Sequence, residues 1–123
     1  MKFNLDRPST AHVVRSYEPG LIRIGDRDLA TSVIVTPGSL IEPWRPRCMA
    51  DLAAADLAPV LALRPQVLLI GSGPHQVFPA PDLLAELYAA RLGFEIMATG
   101  AACRTYNVLV AEGREVAAAL LIE

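Results

Sequence analysis

Thr99-Gly-Ala-Ala-Cys-Arg-Thr-Tyr-Asn-Val-Leu-Val-Ala-Glu-Gly-Arg114 reads as a helix with unusual polar residues, leading into a wholly apolar strand. The helix is expected over Gly100 to Glu112 and the strand over Glu115 to Ile122. Within that strand, Val116-Ala-Ala-Ala-Leu-Leu-Ile122 shows no polar alternation, which places it inside a sheet. Its three alanines leave room for a helix to approach closely.

Upstream, Phe94-Glu-Ile-Met97 is the preceding strand. Pro81 and Asp82 open a helix in which Leu83, Leu84, Leu87, Tyr88 and Leu92 recur at helical spacing, with Gly93 placed as its C-cap. Val67-Leu-Leu-Ile70, following Pro65, is a short apolar run of the kind buried on both faces. The second half therefore reads strand–helix–strand–helix–strand, the pattern of parallel units with helices on the sheet faces.

The first third alternates as strands do. Val13 to Tyr17, a Glu18-Pro19-Gly20 turn, Leu21 to Ile24, a Gly25-Asp26 turn, and Asp28 to Thr36 describe an antiparallel meander ending at Pro37-Gly38. Ser39 to Cys48 carries Pro43, Pro46 and the only Trp, Trp44, and is expected to be an irregular loop. Asp51 to Leu57 has helical composition, and Pro59 is expected to restart it as a second short turn. The predicted architecture is α/β: a single three-layer domain with a mixed β-sheet, flanking helices and an N-terminal antiparallel β-meander. Residues 1–10 form an arm, 11–37 the meander and 38–123 the βαβαβ-like part.

Composition narrows the function classes. A chain of 123 residues holds one domain and no separate cofactor module, and its 53% apolar content supplies a packed core. The net charge is −2 and the cations are spread singly, so no basic stripe points to nucleic acid. The longest apolar run, Val116 to Ile122, is far short of the roughly 20 residues of a membrane helix. Met1 to Pro8 has neither a signal-peptide core nor a transit-peptide pattern. A cytoplasmic, bacterial protein that is not membrane-embedded is expected. Its two cysteines, Cys48 and Cys103, are expected to be reduced.

Several residues are candidates for chemistry. The Gly71-Ser72-Gly73-Pro74-His75-Gln76 loop follows the buried strand, where ligands bind in open α/β sheets. It matches no established phosphate-loop pattern, and two glycines with a proline also serve as plain turn chemistry. His75 is a candidate acid or base, or a solvated surface residue. His12 lies apart, and two His with two Cys show no metal-ligand spacing, so neither a metal nor any other cofactor is implied. Cys103 lies in the first turn of the last helix, where the dipole and Arg104 would favour a thiolate; the alternative is a small buried apolar side chain. Arg104 opposes the same dipole, which calls for compensation by an acid such as Glu95, a bound anion or a partner. Asn107 shares its face. Trp44 with Arg45 is either a binding hot spot or a lid on the core. Tyr106 and Tyr88 are expected to bury their rings.

Three stretches together resemble a small family. They are Ser32-Val-Ile-Val-Thr-Pro with the Trp44 loop, Leu68-Leu-Ile-Gly-Ser-Gly, and Met97 through Arg114. The family has no assigned function and occurs in bacteria, archaea and eukaryotes. It includes the mitochondrial respiratory complex I assembly factor 3 and an adipogenesis-associated Mth938 domain-containing protein. The resemblance covers nearly the whole chain from about residue 10, with Gly71, Gly73, Thr99, Arg104, Thr105, Asn107, Glu112 and Arg114 matching the pattern. It implies a compact three-layer α/β fold, no established catalytic residues, and an assembly or interaction role in the mitochondrial branch.

Two functions follow as expectations. The first is a non-catalytic interaction protein with an unidentified protein partner, presenting Trp44, Arg45, Arg104 or Asn107. The second is a small-molecule (anion)-binding protein or enzyme. It requires Gly71, Ser72, Gly73 and His75 to converge with Cys103, Arg104 and Asn107 on one pocket.

Overall fold

The computed structural model describes residues 11–123; the expected arm at 1–10 lies outside the described residues. Among these residues three strands come first, β1 (Val14–Glu18), β2 (Leu21–Ile24) and β3 (Arg27–Leu29), paired antiparallel in the order β1-β2-β3. Then come β4 (Val33–Thr36), β5 (Ser39–Ile41), a 3-10 turn (Met49–Asp51), α1 (Ala54–Ala62), β6 (Val67–Gly71), α2 (Pro81–Ala89), β7 (Gly93–Met97), α3 (Thr99–Ala111) and β8 (Val116–Leu120). The second sheet has the order β5-β4-β8-β6-β7. β6 runs parallel to β7 and β8, whereas β4 runs antiparallel to β5 and β8.

Period-two alternation divides β8 between two cores. Val116, Ala118 and Leu120 face Ala102, Cys103, Tyr106 and Val110 of α3, together with Val14, Ile22 and Ile24 of the meander. Ala117 and Ala119 face the other side, with Leu57 and Val60 of α1 and Leu83 and Leu87 of α2. The result is three layers: α1 and α2, the five-stranded sheet, and α3 with the three-stranded sheet. All five residues of β8 are buried, as its unbroken apolar sequence requires.

Four local expectations are corrected. The run Asp28 to Thr36 is two strands in different sheets, because the chain turns a corner at Ser32. The Ser32 carbonyl accepts the Trp44 N–H at 2.7 Å and its Oγ accepts the Ile122 N–H at 3.0 Å. Ser39–Ile41 is strand, not loop; Pro37-Gly38 closes a hairpin in which Ile34 faces Ile41. Pro59 sits inside α1 without breaking it. The carbonyl its missing N–H strands belongs to Ala55, which is exposed and can bond to water. Gly93 begins β7; the left-handed residue after α2 is Arg91, at φ 60°.

Candidate functional site

The Gly71–Gln76 loop leaves the carboxyl end of β6 beside the start of α3, and its glycines have structural roles. A Cβ on Gly71 would stand 2.9 Å from both Cα and Oγ1 of Thr99 and 3.0 Å from Leu120 Cδ2. Gly73 adopts φ +99°, a region that side chains rarely enter. Thr99, fully buried, ties the loop to the last helix: its Oγ1 accepts the Gly73 N–H at 2.8 Å and donates to the Leu121 carbonyl at 2.9 Å. Its own N–H reaches the Gly73 carbonyl at 2.8 Å.

Beyond Gly73 the pinning continues. Ser72 is 5% exposed; its Oγ donates to the His75 carbonyl at 2.6 Å and accepts the Val77 N–H at 3.0 Å. Gln76 Nε2 donates to the Ile96 carbonyl at 2.9 Å. On this fixed frame Val77 is 46% exposed and Phe78 61% exposed. Neither stood out in the sequence, where Val77-Phe78 before two prolines reads as an ordinary apolar pair. Ser72, Pro74 and His75 line a cavity of about 340 Å³ with Cys48, Met49 and Glu123.

Cys103, Arg104 and Asn107 line a different cavity, of about 180 Å³, between β1 and α3. It shares no residue with the loop's cavity. The convergence required for a small-molecule reading is therefore absent from these two cavities. Cys103 is 5% exposed and burial pushes its thiol up to about 12, only partly offset by Arg104. The thiolate expected from the helix dipole is overturned: desolvation of a buried sulfur outweighs the helix terminus and one nearby cation. Asn107 Oδ1 accepts the Val14 N–H at 2.9 Å and its Nδ2 donates to the Val14 carbonyl at 2.7 Å. Arg104 is exposed, and neither Glu95 nor any other carboxylate pairs with it among the described residues. Tyr17 Oη is buried in this region without a hydrogen-bond partner among the described residues; burial, then Cys103, raises its pKa.

Trp44 is 4% exposed, and its Nε1–H donates to the Asp56 carbonyl at 3.0 Å. It covers the α1 side of the core and is not available as an exposed contact, so the hot-spot reading of Trp44 is corrected. Arg45 remains largely exposed but grips Asp56 with two nitrogens, Nε to Oδ1 at 2.9 Å and a terminal nitrogen to Oδ2 at 2.6 Å. It also donates to the Asp51 carbonyl. The Arg45 bonds hold the Asp56 carboxyl below its ordinary range, helped by the Ala53 N–H and opposed by burial. Tyr106 has its ring buried, as expected, and its hydroxyl donates to the His12 carbonyl at 2.8 Å. Tyr88 is 71% exposed, contrary to expectation, and rests edge-on against Phe94. Among the described residues no group of His, Cys, Asp and Glu is arranged to hold a metal, and no helix is long and apolar enough to cross a membrane.

The fold is that of a known family. Residues 14–121 match the family described as protein of unknown function (DUF498/DUF598), and the chain is a member of it. It is 30% identical over 115 residues to NADH dehydrogenase [ubiquinone] 1 alpha subcomplex assembly factor 3 of Danio rerio, covering 92% of this chain and 66% of that protein. It is 36% identical over 62 residues to the 13 kDa major membrane protein of Francisella tularensis subsp. holarctica, half of each chain. The chain thus spans half to about two-thirds of the length of these curated relatives. A solution structure of a Bordetella pertussis protein, a Mth938-like domain, superposes with a TM-score of 0.80 at 29% identity, covering 99% of this chain and 92% of that one.

Proposed function

We propose that this protein is a non-catalytic interaction protein that assists assembly of a respiratory, complex I-like complex or another membrane-associated complex. The observation that carries this reading is the loop after β6. Five hydrogen bonds from Ser72, Gly73, Gln76 and Thr99 fix its backbone, yet it offers Val77 and Phe78 to solvent. A backbone already held in place loses little entropy when a partner covers the apolar side chains it presents. The assembly-factor name of the Danio rerio relative supports the same kind of role.

Arg104 offers a second contact, since its charge has no acidic partner among the described residues. The test is mild crosslinking of the tagged chain in its native host, comparing wild type with Phe78→Asp and Arg104→Ala. Stoichiometric capture of subunits or assembly proteins of a membrane-associated complex, lost on Phe78→Asp, is the expected result. Equal capture by wild type and Phe78→Asp would remove the loop from the interface. No stoichiometric capture by the folded wild type would overturn the interaction role.

A further inference from the structure

We propose that the cavity between the C-terminal ends of α1 and α2 is a binding site for a phosphate group, held by Arg64 and Arg91. The two α→β connections are built alike. α1 ends at Ala62 with Leu63 as C-cap, and Arg64 follows at φ 50°. α2 ends at Ala89 with Ala90 as C-cap, and Arg91 follows at φ 60°. These are the only non-glycine residues with positive φ among the described residues. Both arginines are exposed and line one cavity of about 560 Å³.

Left-handed backbone is unfavourable for a residue with a Cβ, and helices that end this way usually place Gly or Asn there. Arg at both positions therefore asks for a reason located in the side chain. The helix dipoles supply part of it, but neither guanidinium bonds to a helix carbonyl or pairs with a carboxylate among the described residues. No acidic residue lines the cavity. Gln66 lines it too, and its Oε1 already accepts the Glu115 N–H at 3.1 Å, which leaves its amide donors over.

Charge balance selects the ligand. Each helix C-terminus carries about half a negative charge, so two of them offset roughly one arginine and leave about one positive charge in excess. A phosphate group offers several acceptor oxygens and up to two negative charges to two planar donor forks, whereas a carboxylate offers two oxygens and one charge. The phosphate can come from a free anion or monoester, or from a phospholipid headgroup.

The test uses Arg64→Gly and Arg91→Gly, singly and together, because glycine adopts the left-handed conformation without strain. Arg64→Asn and Arg91→Asn, also tolerated there, repeat the experiment with a side chain kept. Inorganic phosphate is titrated against the folded protein and followed by amide NMR, with chloride at matched ionic strength as control. Saturable shifts confined to residues 61–66 and 90–93, weakened about tenfold or more by each substitution, are expected. Co-sedimentation with phosphatidylcholine vesicles, with and without phosphatidic acid, distinguishes the source. Sedimentation that depends on phosphatidic acid and is lost in the double variant assigns the phosphate to a lipid. Binding of neither probe, or binding that survives in the double variants, overturns the proposal.

Discussion

Asn107 stands toward Val14 as a neighbouring strand would, accepting its N–H and donating to its carbonyl through one carboxamide. This closes the outer edge of β1 against α3 with a side chain rather than with more sheet. Replacing Asn107 by Ala strands both backbone groups. A loss of about 2–3 kcal/mol in chemical denaturation is expected from two such bonds. Asn107→Asp should cost a similar amount, because a carboxylate repels the Val14 carbonyl. An unchanged denaturation midpoint in either variant would show that water replaces the pair.

Gly71 sets how closely α3 can approach the sheet. Gly71→Ala places a methyl against Thr99 backbone, which cannot swing aside as a side-chain tip can. Overpacking of this kind is expected to cost about 1–3 kcal/mol. Thermal melting of the variant, together with loss of the slow-exchanging Gly73 amide, checks it.

The two cysteines should separate cleanly in a thiol-modification experiment. Cys48 is half-buried, whereas Cys103 is buried with its pKa near 12. Cys48 is partly accessible to reagent, so it is expected to react in the folded protein. Cys103 is expected to react only on unfolding. Peptide mapping after brief alkylation, with and without denaturant, reads this directly.

Asp56 links stability to acid. Its pKa is lowered in the folded state, chiefly by Arg45, so its contribution is present above the unfolded value of about 4 and is lost as pH falls toward the folded value. Melting temperatures measured from neutral pH down through that window should fall more steeply for wild type than for Asp56→Asn. Because Arg45 is largely exposed, screening keeps the effect modest, and added salt should shrink it. Parallel curves for the two proteins would exclude the pair as a source of acid sensitivity.

Much of the fold was readable from residues alone. β6, α3 and β8 announce themselves because a fully apolar run and a 3.6-residue period leave little else for those segments to do. The hairpin to β5 was hidden by Pro43 and Pro46, although Pro37-Gly38 between Val33-Ile34-Val35 and Leu40-Ile41 carried the signal of a tight turn. Pro59 misled because helix breaking depends on whether the stranded carbonyl can meet water, and sequence does not say which face is wet. The candidate residues were harder. Local context left Cys103 as thiolate or buried apolar side chain and Trp44 as hot spot or lid, and burial against segments far away in the chain decided both for the second. Phe78 gave no local sign at all; its exposure shows only in the folded loop.

The placement of β8 has a consequence for synthesis on the ribosome. Last in chain order of the strands among the described residues, it is third of five in its sheet, joining β4 on one side to β6 on the other. Until Val116 to Leu120 leave the exit tunnel, the β4–β5 hairpin and the β6–β7 pair have no common neighbour, and both cores lack their shared wall. Both apolar surfaces therefore stay unfinished until this strand is available, and completion of the fold waits for it.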